Sequence, residues 1–159
     1  MFPLELRPIE LEEVAAIVGL IQRAIERGCC EHYDSAQRHA VFLTSAQELF
    51  TETPGPFESI VVARNETLVG FAQFAAPMGQ LRALFVDGDV QHLGIGTLLI
   101  TEIERRVRLQ GGTRLYGAMS LNAVPFYTAA GFHPLGGPER RTSAGVSVPV
   151  VRMEKLLRR

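Results

Sequence analysis

The apolar positions change period several times along the chain, and each change marks an element. Leu4–Pro8 alternates apolar and polar, as a half-buried strand does. From Glu12 the spacing turns helical: Val14, Ile17, Val18, Ile21 and Ile25 form one stripe that ends near Gly28. Asp34 stands three residues before Gln37, a capping-box spacing that opens a second helix through Leu43. Thr44 with Gln47 repeats the spacing and predicts a short third segment, closed by the turn residues Thr53-Pro54-Gly55-Pro56.

Strand signals follow. Ser59–Arg64 and Thr67–Ala75 flank Asn65-Glu66 and read as a hairpin. Gln80–Val86 is apolar on both faces apart from Arg82, which predicts a central strand covered twice. After the turn Asp87-Gly88-Asp89 and a lead-in over Val90–Leu93, a helix carries Ile95, Leu98, Leu99, Ile103 and Val107 on one face and stops at Gly111-Gly112. Arg114–Ser120 is the next strand. Asn122 is placed to cap a helix with Pro125 in its first turn, and Gly131 ends it. Strands near His133–Gly136 and Val146–Glu154 are joined by a polar loop over Gly137–Gly145. The pattern predicts a mixed sheet with helices on both faces.

At 159 residues with 47% hydrophobic and 21% charged side chains, the chain has the size and composition of one ordered domain. No apolar run reaches membrane length, and the first residues show no basic-plus-apolar leader, so no membrane partner is expected. The cysteines, Cys29 and Cys30, are adjacent, which suits free thiols in a reducing cytoplasm. A net charge of −1 argues against a nucleic-acid partner. The charge is unevenly divided: residues 1–80 carry 11 acidic side chains against 5 Arg, and residues 81–159 carry 6 against 10 Arg and one Lys. The second half then suits an anionic ligand and the first a cationic one.

Gln91-His92-Leu93-Gly94-Ile95-Gly96-Thr97 lies between the central strand and the longest helix. A helix start offers N–H groups and the positive dipole end to an anion, and glycines let a phosphate approach the backbone. A Walker loop is excluded because no Gly-Lys-Ser/Thr is present, and the dinucleotide fingerprint fails because Leu99 replaces its third glycine. A Gln-x-x-Gly-x-Gly loop remains, with helix packing as the other use of its glycines.

The next strand is followed at once by Ser120-Leu-Asn122-Ala-Val-Pro125-Phe126-Tyr127 and Ala-Ala-Gly131-Phe132. Together with Leu84-Phe85-Val86-Asp87, the glycine loop and Met153-x-Lys155-Leu156, this resembles the GCN5-related N-acetyltransferase (GNAT) superfamily over nearly the whole chain. The resemblance implies one domain over residues 1–159. It implies an α+β, three-layer α/β/α fold, with a mixed, mostly antiparallel sheet of about seven strands splayed at the fourth. It also implies acetyl-CoA as cosubstrate and transfer of its acetyl group to a primary amine by direct attack in a ternary complex. Carried over by residue, main-chain groups of Phe85 and Val86 would pair with the pantetheine amides. The N–H groups of Gln91, His92, Leu93, Gly94, Ile95, Gly96 and Thr97 would hold the pyrophosphate. Asn122 would bond the pantetheine arm, with Pro125 and Phe126 alongside. The chain departs from the family pattern at His92 and Leu93, where glycine or a basic residue is frequent, and at Gly88, where a proline is; the latter predicts a looser turn.

Acetyl transfer needs an oxyanion donor and an acid for the leaving thiolate. A backbone N–H within Leu84–Val86, at Phe85, serves the first. Tyr127, protonated at neutral pH, serves the second, packing against Phe126 being its other use. The base is open between a water relay and Glu31, His32 or Asp87, with Glu31, His32 and Tyr33 in the segment that covers the substrate. Cys29, Cys30, His32 and His39 fit no common zinc spacing, so no metal is expected. Arg140-Arg141 either faces an acidic group on the substrate or is merely solvated. The charge division favours a small cationic acceptor. A protein acceptor and a non-catalytic CoA-binding regulatory module are the alternatives, and the mean hydropathy of +0.12 is compatible with a homodimer.

Overall fold

The computed structural model describes residues 3–50, 56–88 and 94–158. Four strands form an antiparallel meander: β1 (Leu4–Pro8), β2 (Phe57–Arg64), β3 (Thr67–Ala75) and β4 (Gln80–Val86). A second group comprises β5 (Arg114–Ser120), β6 (His133–Pro134), β7 (Glu139–Ser143) and β8 (Val146–Leu156). The sheet runs β1-β2-β3-β4-β5-β8-β6, with β7 also paired to β8. Every pairing is antiparallel except β4 with β5.

Helices α1 (Val14–Gly28) and α2 (Ser35–Phe50) lie on one side of the sheet, α3 (Ile95–Leu109) and α4 (Val124–Ala129) on the other. Alternation along β2 builds both cores at once. Ile60 and Val62 pack with Ile95, Leu99 and Ile103 of α3, whereas Val61 and Ala63 pack with Ile17, Leu20 and Ile21 of α1. The buried seam of α1 takes in Leu20, which the predicted stripe omitted, while Val18 is only half-buried. Asn65 and Glu66 both adopt left-handed backbone (φ 51° and 68°), the two-residue turn whose twist matches a hairpin.

Three predicted details change. α2 runs unbroken to Phe50, so Thr44 starts no new helix; its Oγ1 lies 2.6 Å from Ser143 Oγ on β7. The proposed turn at residues 53–56 falls mostly outside the described residues. The late loop contains β7, giving eight strands among the described residues. Its residues, Glu-Arg-Arg-Thr-Ser, are exposed save Ser143 and so carry no apolar alternation, and its turn places Ala144 at φ 46°, a conformation alanine rarely adopts. Asn122 is no cap: it lies inside a 3-10 turn, Leu121–Ala123, ahead of α4.

The feature that positions the site is the junction of β4 and β5. They pair through Gln80 and Tyr116 alone, with Tyr116 N–H donating to Gly79 C=O at 2.8 Å. Two residues past that pair, β4 carries a bulge: Gln73 faces Ala83 and Phe74 faces Leu81, leaving Arg82 as the extra residue. Gly117 permits the close approach, since a Cβ there would stand 2.6 Å from the Leu81 carbonyl oxygen. That neighbour is backbone and cannot turn aside. Gly117→Ala is therefore expected to cost about 1–3 kcal/mol of stability in urea denaturation; an unchanged midpoint would show slack at the junction.

Candidate active site

Beyond Gln80 the two strands diverge around a cavity of about 130 Å³. Residues 81–85 of β4 form one wall and residues 118–120 of β5 the other. The lining draws on both cores: Leu81, Met119 and Tyr127 from beneath α3, and Ile25, Cys29 and Tyr33 from beneath α1 and α2. The cavity thus passes through the sheet. Alternation along β4 turns Leu84 and Val86 toward the α3 side and Phe85 toward the α1 side.

Tyr127 is buried, edge-on to Phe126 and Phe132 with ring centroids 5.1 and 5.2 Å away. Burial pushes its phenol well above the ordinary tyrosine value, so it keeps its proton through the physiological range. Its hydroxyl makes no hydrogen bond among the described residues, although it lines the cavity. Asn122 accepts a hydrogen bond at Oδ1 from Cys29 Sγ at 3.1 Å, while its Nδ2 makes none among the described residues. Pro125 sits exposed in the first turn of α4, beside half-buried Phe126.

At the start of α3, Gly94 has φ 77° and no side chain among the described residues caps the helix. Leu98 N–H makes the first helical bond, to Gly94 C=O at 2.9 Å, so the N–H groups of Ile95, Gly96 and Thr97 stand ahead of the helical ladder. The two glycines have separate reasons. Gly94 needs its left-handed backbone, with open space where a Cβ would be; at Gly96 a Cβ would meet the Phe126 ring at 2.9 Å. Gln91, His92 and Leu93 lie outside the described residues.

Other sequence candidates are committed elsewhere. Asp87 is buried and paired with Arg23 at 2.9 Å, which ties α1 to the end of β4 and makes it a poor base. At Gly88 a Cβ would lie 2.6 Å from the Arg27 side chain, and the rest of that turn lies outside the described residues. Glu31 and His32 are exposed, whereas Tyr33 is a buried brace. Its hydroxyl donates to Pro149 C=O at 2.6 Å and accepts from Leu121 N–H at 3.0 Å.

Sequence reasoning missed the polar lining contributed by α2 and singled out Arg82 only as an oddity in its strand. Arg82 Nε donates to Gln73 Oε1 at 2.7 Å and lies 3.5 Å from Glu48 Oε2, with its guanidinium 3.9 Å above the Phe57 ring. Arg141 Nη2 reaches Glu48 Oε1 at 3.8 Å. Burial raises the Glu48 carboxyl above its ordinary value, against the pull of the two arginines. Helical spacing would have placed Glu48 one turn beyond Thr44 on α2, but nothing local indicated that this face meets β7. Among the described residues no group of His, Cys, Asp and Glu could hold a metal ion, and no helix is long and apolar enough to cross a membrane.

A family model described as an acetyltransferase (GNAT) domain matches residues 29–157. No curated protein matches by sequence. Among solved structures, the chain is similar to a GCN5-related N-acetyltransferase from Rhodopseudomonas palustris, with TM-score 0.88, 22% identity, and 99% of this chain and 98% of that one covered. It is also similar to the PaiA N-acetyltransferase of Thermoplasma acidophilum in complex with coenzyme A (TM-score 0.75, 17% identity, 97% and 99% covered). A third is the ribosomal-protein-S18-alanine N-acetyltransferase of Escherichia coli (TM-score 0.71, 15% identity, 99% and 96% covered). At these identities the likeness is one of fold.

Two outcomes follow from the packing around the cavity. Tyr33→Phe leaves the Leu121 N–H and Pro149 C=O without their partner and should lower stability by about 1–3 kcal/mol in urea. For the thiols, burial raises Cys29 to about 11, so near pH 8 only about one molecule in a thousand carries its thiolate. Iodoacetamide followed by tandem mass spectrometry should therefore label exposed Cys30 and spare Cys29 in the folded protein.

Proposed function

Because the chain belongs to the acetyltransferase (GNAT) family, we propose that it moves the acetyl group of acetyl-CoA onto an amine within a ternary complex. The observation that carries this reading is the parting of β4 from β5 around a cavity that crosses the sheet, with Tyr127 on its wall. A donor and an acceptor can enter such a cavity from opposite faces.

The residues fit the cosubstrate. The N–H groups at Gly94, Ile95, Gly96 and Thr97, with the α3 dipole behind them, suit a pyrophosphate and require no lysine. Among the described residues no strand covers the β4 edge opposite β3 past Gln80, so main-chain groups on that edge, such as those of Leu84, lie where amides of a pantetheine arm can add as a strand does. Asn122 Nδ2 is a further donor to that arm, and Pro125 and Phe126 give it an apolar flank. When bound, acetyl-CoA supplies a thioester carbonyl open to attack and a thiol that can leave.

The chain's own part is positioning and charge. A main-chain N–H of the Leu84–Val86 segment meets negative charge developing on the carbonyl oxygen, and a fixed dipole does so without reorganisation. Asp87 N–H donates to Val69 C=O at 2.9 Å, so alternation turns the Phe85 N–H to β3 as well and leaves that of Leu84, not Phe85, facing the gap. Tyr127 holds a proton at its phenol oxygen where a departing sulfur needs one. Its burial favours this role, because the proton is not lost to solvent at working pH. Asp87 is not assigned the base, being committed to Arg23. The reading places the chain, as one domain, in a reducing cytoplasm where Cys29 and Cys30 stay thiols.

Calorimetric titration with acetyl-CoA tests the cradle, and no binding by the wild-type chain would break the reading. Tyr127→Phe should then lower kcat by about a hundredfold or more while acetyl-CoA affinity stays within about threefold. Loss of both together would make Tyr127 a packing residue.

A further inference from the structure

Among the described residues, the charged side chains lining the cavity are Glu48, Arg82 and Arg141. They meet at the α2 and β7 end, beside the hydroxyls of Thr44, Ser45 and Ser143. Two cations thus face one carboxylate, the reverse of what the charge division along the sequence implied. The division fails here because β7, from the basic half of the chain, folds back against α2, from the acidic half.

The arrangement is held but incomplete. Arg82 is fixed by Gln73, by the Phe57 ring and by the Glu48 main-chain carbonyl at 3.4 Å. The bulge in β4 makes it the extra residue, which is how a polar side chain from a central strand comes to line the site. Its Nη1 makes no hydrogen bond among the described residues. Among the described residues Arg141 has one ionic neighbour, Glu48, and its side chain is half exposed. The Glu48 separations of 3.5 and 3.8 Å exceed the roughly 2.7–2.9 Å of a well-formed guanidinium–carboxylate pair. One carboxylate shared loosely between two guanidinium groups leaves donors for a second.

We propose that the acceptor is a small amine bearing a carboxylate, and that Arg82 and Arg141 hold that carboxylate at the α2–β7 end of the cavity. This assignment rests on the acetyl-transfer reading above and names its substrate class. The chemistry balances as in any such transfer: the N–C bond forms, the thioester C–S bond breaks, and one amine proton ends on the thiol. A cavity of about 130 Å³ suits a short molecule. A diamine would instead bring a second cation against two arginines.

The test compares acceptors that share a three-carbon amine and differ at the far end: β-alanine, β-alaninamide and 1,3-diaminopropane, with longer and shorter homologues of each. Thiol release gives rates, and calorimetry with the N-acetylated products gives binding independent of turnover. In the best-fitting length the carboxylate should exceed the amide in kcat/KM by about tenfold or more, with the diamine lowest. The N-acetyl acid should likewise bind about tenfold tighter than its amide. Arg141→Gln should shrink the acid-to-amide ratio to within about threefold, chiefly through KM, and Arg141→Glu should shift preference toward the diamine. Arg82→Gln should act similarly, with circular dichroism checking that the bulge region still folds. Acetylation of amides or diamines in preference to acids would overturn the proposal and leave acetyl transfer standing. No acetylation of any member, with no binding of acetyl-CoA, would overturn both.

Discussion

A parallel pairing that lasts for one residue governs this structure. Strand edges carry N–H and C=O groups that must find partners, and a sheet ordinarily supplies them by continuing. Here β3 satisfies one edge of β4 and β8 satisfies the far edge of β5, so each strand is secured from outside and the pair can separate between. The bulge at Arg82 and the close approach at Gly117 fix where separation begins. The gap is therefore not a defect in packing. Its walls are rigid because each belongs to a different, fully paired half of the sheet.

What surrounds the gap is braced by a few contacts between distant segments. Tyr33 joins the α1–α2 corner to the start of the turn after β5 and to β8, and Cys29 joins the end of α1 to Asn122. Arg23 and Asp87 tie the middle of α1 to the end of β4. Each contact links the acidic first half to the basic second half, and each lies at the cavity or at the end of a wall. Local charge then follows from which side chains these contacts bring together, not from the balance of each half.

Much of the architecture was legible because it rests on local periodicity. The α1 and α3 stripes, the Asn65-Glu66 hairpin and β4 all announce themselves through spacing and turn chemistry, and Asp34 with Gln37 forms the expected reciprocal cap. β7 did not, because an exposed strand has no apolar alternation and its turn uses Ala144. The site divides in the same way. That Gly94 stands at the head of α3 and Tyr127 on α4 was readable from motif and position. The role of Tyr33 was not, since its partners are 88 and 116 residues away. Gly96 shows that one residue can satisfy a phosphate motif and a packing demand together, with Phe126 filling the space its missing Cβ leaves. Arg82 showed only as the polar exception in its strand and Glu48 carried no signal, because their meaning depends on a bulge and on a helix meeting a hairpin.

β8 is the one strand on which β5, β6 and β7 all depend, and it follows every other strand in chain order. During synthesis, β1 through β4 and the first two helices can assemble as a meander of near neighbours while the rest is still emerging. β5 cannot join securely, because its lasting partner is made some thirty residues after it. For that interval the nascent chain displays an open edge on β4 and uncovered apolar surface beneath α3. The gap thus arises late and all at once, when the returning strand captures β5, and the vulnerable period on the ribosome is set by the length of the α4–β7 excursion.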